Sequence, residues 1–87
     1  MLDASTRVSM TRQELVSHHL RSLALRVDPV YGQLKMLAAD IDVHTTTLSA
    51  WIAQGYVPEF QVRKMLRRYG KKYVILDDLC PVEYRNA

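Results

Sequence analysis

The chain has one cysteine, three glycines, three prolines, one tryptophan and one phenylalanine among 87 residues. Cys80 alone cannot form an internal disulfide, nor build a cysteine-rich zinc site. No apolar run approaches the ~20 residues that a membrane-spanning helix needs. The segment Met1 to Met10 lacks the apolar core of a secretory signal. A soluble protein of the cytoplasm is therefore expected. Glycine-rich phosphate loops and dinucleotide fingerprints are absent. Also missing is any Arg or Lys between Lys35 and Arg63.

Acid–base and metal chemistry find little support. His18 and His19 are adjacent and cannot share one helix face, and no carboxylate or cysteine stands at zinc-ligand spacing from them. Asp77 and Asp78 form an acidic pair in a turn-like context, which does not make a hydrolase. Ser49 has no evident histidine partner, because His44 lies five residues away on a poor bearing. No catalytic residue, metal or cofactor is assigned, and an enzyme is not expected.

What is present is an apolar fraction of 48% and a net charge of +3. The first fits a single small globular domain, whose burial margin is thin at this length. Six of the twelve basic residues fall together: Arg63, Lys64, Arg67, Arg68, Lys71 and Lys72. Such a cluster attracts polyanions, and it equally occurs as a solvated helix face.

Periodicity predicts four main helices. Residues 1–10 lack a period and read as a flexible N-terminus. Thr11 and Glu14 have capping-box spacing. Val16, Leu20, Leu23 and Val27 then follow at helical steps, and Asp28-Pro29 ends the run. Leu25 points off this stripe, either as a singly exposed side chain or as a contact with another subunit. A short helix from Gln33 to Ile41 is buried through Leu34, Leu37 and Ile41. A third runs from Thr45 to Gln54, with Leu48, Trp51 and Ile52 on one side and Gly55 as its stop. Pro58 opens a fourth. Its inner face is Val62, Met65, Leu66 and Tyr69, and its outer face is Arg63, Lys64, Arg67 and Arg68. In the tail, Tyr73 to Leu76 has strand composition, while Asp77 to Pro81 reads as a turn or one helical turn. The expectation is an all-α domain over residues 11–82, with a short irregular or strand-like tail and a C-terminal end at 83–87.

The stretch from Leu37 to Trp51 reads as two helices joined by a tight turn. Ala38 is small where the axes approach, Asp42 tolerates positive φ at the turn, and Ile41 and Val43 flank it with apolar side chains. If Leu48 and Trp51 face inward, then Thr46, Ser49, Ala50 and Ala53 face outward. Side chains that small let a helix approach the floor of a B-DNA major groove. Thr and Ser hydroxyls can bond base edges or phosphates, methyls can touch thymine, and Gln54 can bond adenine. His44 and Thr45 at the helix start are placed to meet phosphate.

The pattern of Leu37-Ala38, Val43, Leu48-Ser49 and Trp51, followed by Gly55-Tyr56-Val57-Pro58, resembles the Cro/CI-type helix-turn-helix of phage and prophage repressors. It is most similar to the YdaS-like and Cro-like group, with some likeness to phage CII activators. Asp78-Leu79-Cys80-Pro81 is similar to the tail that closes YdaS-like domains. The resemblance covers roughly residues 30 to 82. It implies a lambda-repressor-like fold with the helix-turn-helix at 34–54, and operator binding, usually as a dimer. It places Thr45, Thr46, Ser49 and Ala50 against bases, and Gln54 joins these candidates through its own amide chemistry. Lys35, His44, Arg63, Lys64, Arg67 and Lys71 are the candidates for phosphate contacts. The chain departs from the pattern twice. Asp42 stands where glycine is usual, and the helix from Thr11 to Val27 is longer than the family's first, either completing the core or serving a further role such as dimerisation. Two regions compete as a homodimer interface: that first helix and the strand-like segment Tyr73 to Leu76.

A reading from another class stays open: a protein-interaction module, or an antitoxin, that keeps the helix-turn-helix shape without relying on DNA. Asp40 and Asp42 near the turn and the uncharged helix at 45–54 favour it. Salt response separates the two, because counterion release makes DNA binding steeply salt-dependent.

Overall fold

The computed structural model describes residues 9 to 85, so most of the flexible stretch expected at the N-terminus lies outside the described residues. The helices are α1 (Arg12–Val27), α2 (Leu34–Asp40), α3 (Thr45–Gln54), α4 (Glu59–Tyr69) and α5 (Leu76–Leu79), followed by a 3-10 turn at Val82–Tyr84. Over the described residues the fold is all-α, with four main helices and a short tail. No described helix is long and apolar enough to cross a membrane.

Helix α1 begins as its sequence predicts. The Glu14 amide donates to Thr11 Oγ1 at 3.1 Å, and the Thr11 amide donates to Glu14 Oε1 at 3.0 Å. The Thr11 backbone N–H and then its hydroxyl hold the Glu14 carboxyl below its ordinary range. Val16, Leu20 and Leu23 are buried, with Val27 partly so. Beyond the helix, the Asp28 carboxylate accepts from the Tyr31 amide at 3.3 Å and the Gln33 amide at 3.1 Å, which turns the chain toward α2. Leu25 is 54% exposed, as its position off the stripe implies.

The junction between α2 and α3 is a Schellman turn. The Val43 amide donates to the Ala38 carbonyl at 2.9 Å, and the Asp42 amide donates to that of Ala39 at 3.3 Å. Between them Asp42 adopts φ 60°, the only non-glycine residue at positive φ among the described residues. A β-carbon in that region costs roughly 1–2 kcal/mol, part of which glycine recovers after its larger unfolded-state entropy is subtracted. Asp42→Gly is therefore expected to stabilise the chain by about 0.5–1 kcal/mol and raise the melting temperature by about 4 °C. Asp42→Val should lower it, because a β-branched residue tolerates this conformation worst. Thermal unfolding followed by circular dichroism reads both.

Helix α1 packs against α2, α3 and α5, α2 packs against α3, and α4 packs against α5. Between them, Leu20, Leu23, Leu37, Ile41, Leu48, Val57, Val62, Met65 and Leu79 are almost completely enclosed. In α4, Val62 and Met65 are buried, while Leu66 and Tyr69 are only half-buried.

Two of the basic residues on α4 close the gap to the end of α2. Arg68 grips both carboxylate oxygens of Asp40 at 2.7 Å, and the Tyr69 hydroxyl donates to the same carboxylate at 2.5 Å. Asp40 occupies the last turn of α2, where the helix dipole disfavours an anion. The Arg68 hydrogen bonds, then that of Tyr69, overcome this and bring its pKa down to about 2. Burial, followed by the hydrogen bond to Asp40, pushes the Tyr69 hydroxyl up to about 12. Lys64 Nζ donates to the Ile41 carbonyl at 2.9 Å, a cation placed where that helix end leaves carbonyls unpaired.

The strand composition of Tyr73 to Leu76 does not yield a strand. The amides of Tyr73 and Val74 both turn back to the Gly70 carbonyl at 3.1 Å. Val74 is 1% exposed and Ile75 leads into α5. A strand needs a neighbouring strand to satisfy its backbone, and none exists among the described residues. The segment thus offers no open strand edge to a second subunit. The acidic pair after it adopts the alternative read from sequence, one helical turn, with Asp78 inside and Asp77 outside.

Candidate nucleic-acid interface

Helix α3 divides sharply by face. Leu48 and Trp51 are its buried residues, and Ile52 is half-buried. Thr45, Thr46, Ser49, Ala50, Ala53 and Gln54 are all exposed. The sequence places Thr46, Ser49, Ala50 and Ala53 outward, and the geometry adds Thr45 and Gln54 to the exposed residues of the helix. None is charged. The side-chain amide of Gln54 donates one hydrogen to the Tyr56 carbonyl at 2.9 Å, which leaves its oxygen and its second N–H for an outside partner.

The start of α3 is uncapped by side chains. His44 holds the N-cap position in extended conformation, exposed, with no side-chain bond to the helix amides. Those amides retain their capacity to meet an acceptor from outside. The far end is closed by Gly55 at φ 84°, whose amide donates to the Trp51 carbonyl at 3.0 Å.

The six candidate phosphate residues separate into two groups. Lys35, Arg67 and Lys71 are exposed with no ion pair among the described residues, and His44 joins them as an exposed uncapping residue. Arg63 is bound to Glu59 one turn earlier, at 2.7 Å, and Lys64 to Ile41 as described. With Arg68 held by Asp40, half of the basic cluster is engaged in intramolecular hydrogen bonds. Lys72 lies 5.6 Å from the Tyr73 ring centroid, and Arg26 covers the same ring at 3.6 Å.

Sequence reasoning missed a groove beside α3, lined by residues of α1 and by Met10 just before it. Met10, Gln13, Glu14, Ser17, His18 and Arg21 line an open groove whose other wall is Ile52. Arg21 donates to the Ser17 hydroxyl at 3.1 Å and has no carboxylate partner among the described residues. The exposed side of α1 carries a clue in its polar residues at helical spacing, but nothing local says which helix they border.

His19 and Asp78, which sequence sets aside separately as an unsupported metal ligand and half of an acidic pair, meet in the interior. His19 Nε2 stands 3.0 Å from Asp78 Oδ2, with both residues 8% exposed. The pair joins α1 to α5 in the interior. Cys80 is fully enclosed, and its thiol is pushed up by burial. Among the described residues no group of three or more potential metal ligands comes together.

Compared with family models, curated proteins and solved structures, the chain matches none.

Proposed function

We propose that this chain is a sequence-specific double-stranded DNA-binding protein, a transcriptional regulator that reads the major groove with α3. The reading rests on one observation. Six exposed, uncharged and mostly small side chains cover one face of α3, while Leu48 and Trp51 bury the opposite face. A helix fixed in this way can enter a major groove about 12 Å wide. Thr45, Thr46, Ser49, Ala50 and Gln54 would read bases. His44 at the helix start and Lys35 on α2 would meet phosphates, and the exposed cations Arg21, Arg67 and Lys71 would supply longer-range attraction. No Arg or Lys stands on α3, so the arginine–guanine contact is not available from it. Modest affinity per subunit follows, which favours a homodimer on a two-fold symmetric operator. Phage or mobile-element genes are the proposed targets, on the resemblance to that class of repressor.

A protein-docking role, including that of an antitoxin, is the second reading. Val30 and Tyr31 are each 77% exposed and Phe60 is 69% exposed, which is the composition of a protein contact rather than a DNA one.

Fluorescence anisotropy decides between them. A labelled duplex from upstream of the chain's own gene is titrated beside a scrambled duplex at several salt concentrations. The DNA reading expects preference for the upstream duplex, with log affinity falling by about 0.9 per phosphate contact for each log unit of salt. Weak, equal binding to both duplexes would reduce the reading to electrostatics. No binding at low salt would leave protein docking.

A further inference from the structure

Arg12 opens α1, yet its side chain serves two other helices. Its Nε donates to the Gly55 carbonyl at 3.1 Å, and its Nη2 donates to the Asp78 carbonyl at 2.5 Å. Gly55 closes α3, and Asp78 lies in the last turn of α5. Both acceptors therefore belong to helix C-terminal ends, where carbonyls lack helical partners and the dipole is negative. No carboxylate pairs with Arg12 among the described residues, so two carbonyl dipoles answer its charge. The Tyr84 ring centroid lies 5.9 Å from the guanidinium carbon, and Tyr84 in turn stacks on Tyr56, just beyond α3, at 4.8 Å. Approach at the helix end is close: a β-carbon on Gly55 would stand 3.0 Å from that of Arg12. Next to it, Gln13 Nε2 donates to the Ala53 carbonyl at 3.4 Å.

We propose that Arg12 is the positioning residue of α3. The Schellman turn at Asp42 fixes where α3 starts, and Arg12 fixes where it ends, so together they set the pose of its outer face. Arg12 acts through Gly55 and not by touching nucleic acid. The functional consequence rests on the DNA-binding reading; the positioning itself does not.

The test uses the full chain carrying Arg12→Lys or Arg12→Met. Lysine keeps the charge and the stem but lacks the planar fork that reaches two carbonyls at once. Methionine keeps the stem alone. Amide hydrogen exchange is measured along the chain, together with affinity for the preferred and the scrambled duplex. In both variants, exchange should accelerate selectively at residues 52–57 and in the turn around α5. In Arg12→Lys, affinity for the preferred duplex should fall about tenfold, the loss expected for one charge-assisted hydrogen bond, with scrambled-duplex affinity unchanged. A uniform loss of protection over all helices, or no change in exchange, would overturn the proposal. So would equal affinity losses on both duplexes, which would make Arg12 a phosphate contact. If the unmodified chain prefers no duplex, the DNA reading fails, and the exchange pattern alone still decides the role of Arg12.

Discussion

Replacing Thr46 with glutamate is expected to remove preference for the cognate duplex, lowering affinity at least a hundredfold, while leaving the fold intact. Thr46 is exposed on the outer face of α3. A carboxylate there would enter a groove walled by phosphates, and like charges brought together in an interface cost several kcal/mol. About 2.7 kcal/mol already gives the hundredfold loss. Stability responds differently. Exposed substitutions away from special features usually stay within about 0.5 kcal/mol. The first turn of α3 holds no acid, and a carboxylate near a helix N-terminus is favourable by about 0.3–1 kcal/mol. The melting temperature should thus hold steady or rise slightly. Thr46→Ser, which retains the hydroxyl, is the matched control. Anisotropy and thermal unfolding on the same preparations read both quantities. Retained preference by the glutamate variant would remove this face from the proposed interface.

The outer face was legible because local rules act within it. Leu48 and Trp51 set the inward bearing, Gly55 marks the stop, and the remaining positions follow by helical geometry. The capping box of Thr11 and Glu14 is legible for the same reason, its partners being three residues apart. Asp42 at positive φ follows from its place between two apolar residues at a helix end. Tyr73 to Leu76 misled because β-propensity describes a side chain's fit to a sheet, and whether a partner strand exists is a property of the whole fold. The basic cluster was legible as composition but not as chemistry. Arg68 finds Asp40 across 28 residues and Lys64 finds Ile41 across 23, so which cations stay free depends on how α4 docks. Arg12 is the extreme case. Its acceptors lie 43 and 66 residues away, and in sequence it is one more arginine near a helix start.

Truncating Leu48 to alanine should produce the opposite signature from Thr46→Glu, although the two residues are separated by only one position. Leu48 is fully buried, and with Trp51 it supplies the buried anchorage of α3. Deleting a buried leucine costs the transfer free energy of the lost carbons and leaves a cavity, about 2–5 kcal/mol in total. The upper half of that range is expected here, because α3 packs on both α1 and α2 and Leu48 is one of its two buried residues. A loss of about 4 kcal/mol corresponds to a melting temperature lowered by about 16–32 °C in a domain of this size. Net stability of small domains is only about 5–15 kcal/mol, so much of the folding margin goes with one side chain. Binding should fall as well, but only as the folded fraction and the order of α3 fall, and lowering the temperature should partly restore it. Leu48→Met conserves volume and is expected to cost less than about 1.5 kcal/mol. Cooling should do nothing for Thr46→Glu, whose defect is charge on a folded surface. If Leu48→Ala left stability untouched, the inward bearing of α3 would be wrong, and the outer face assigned from it would fall with it.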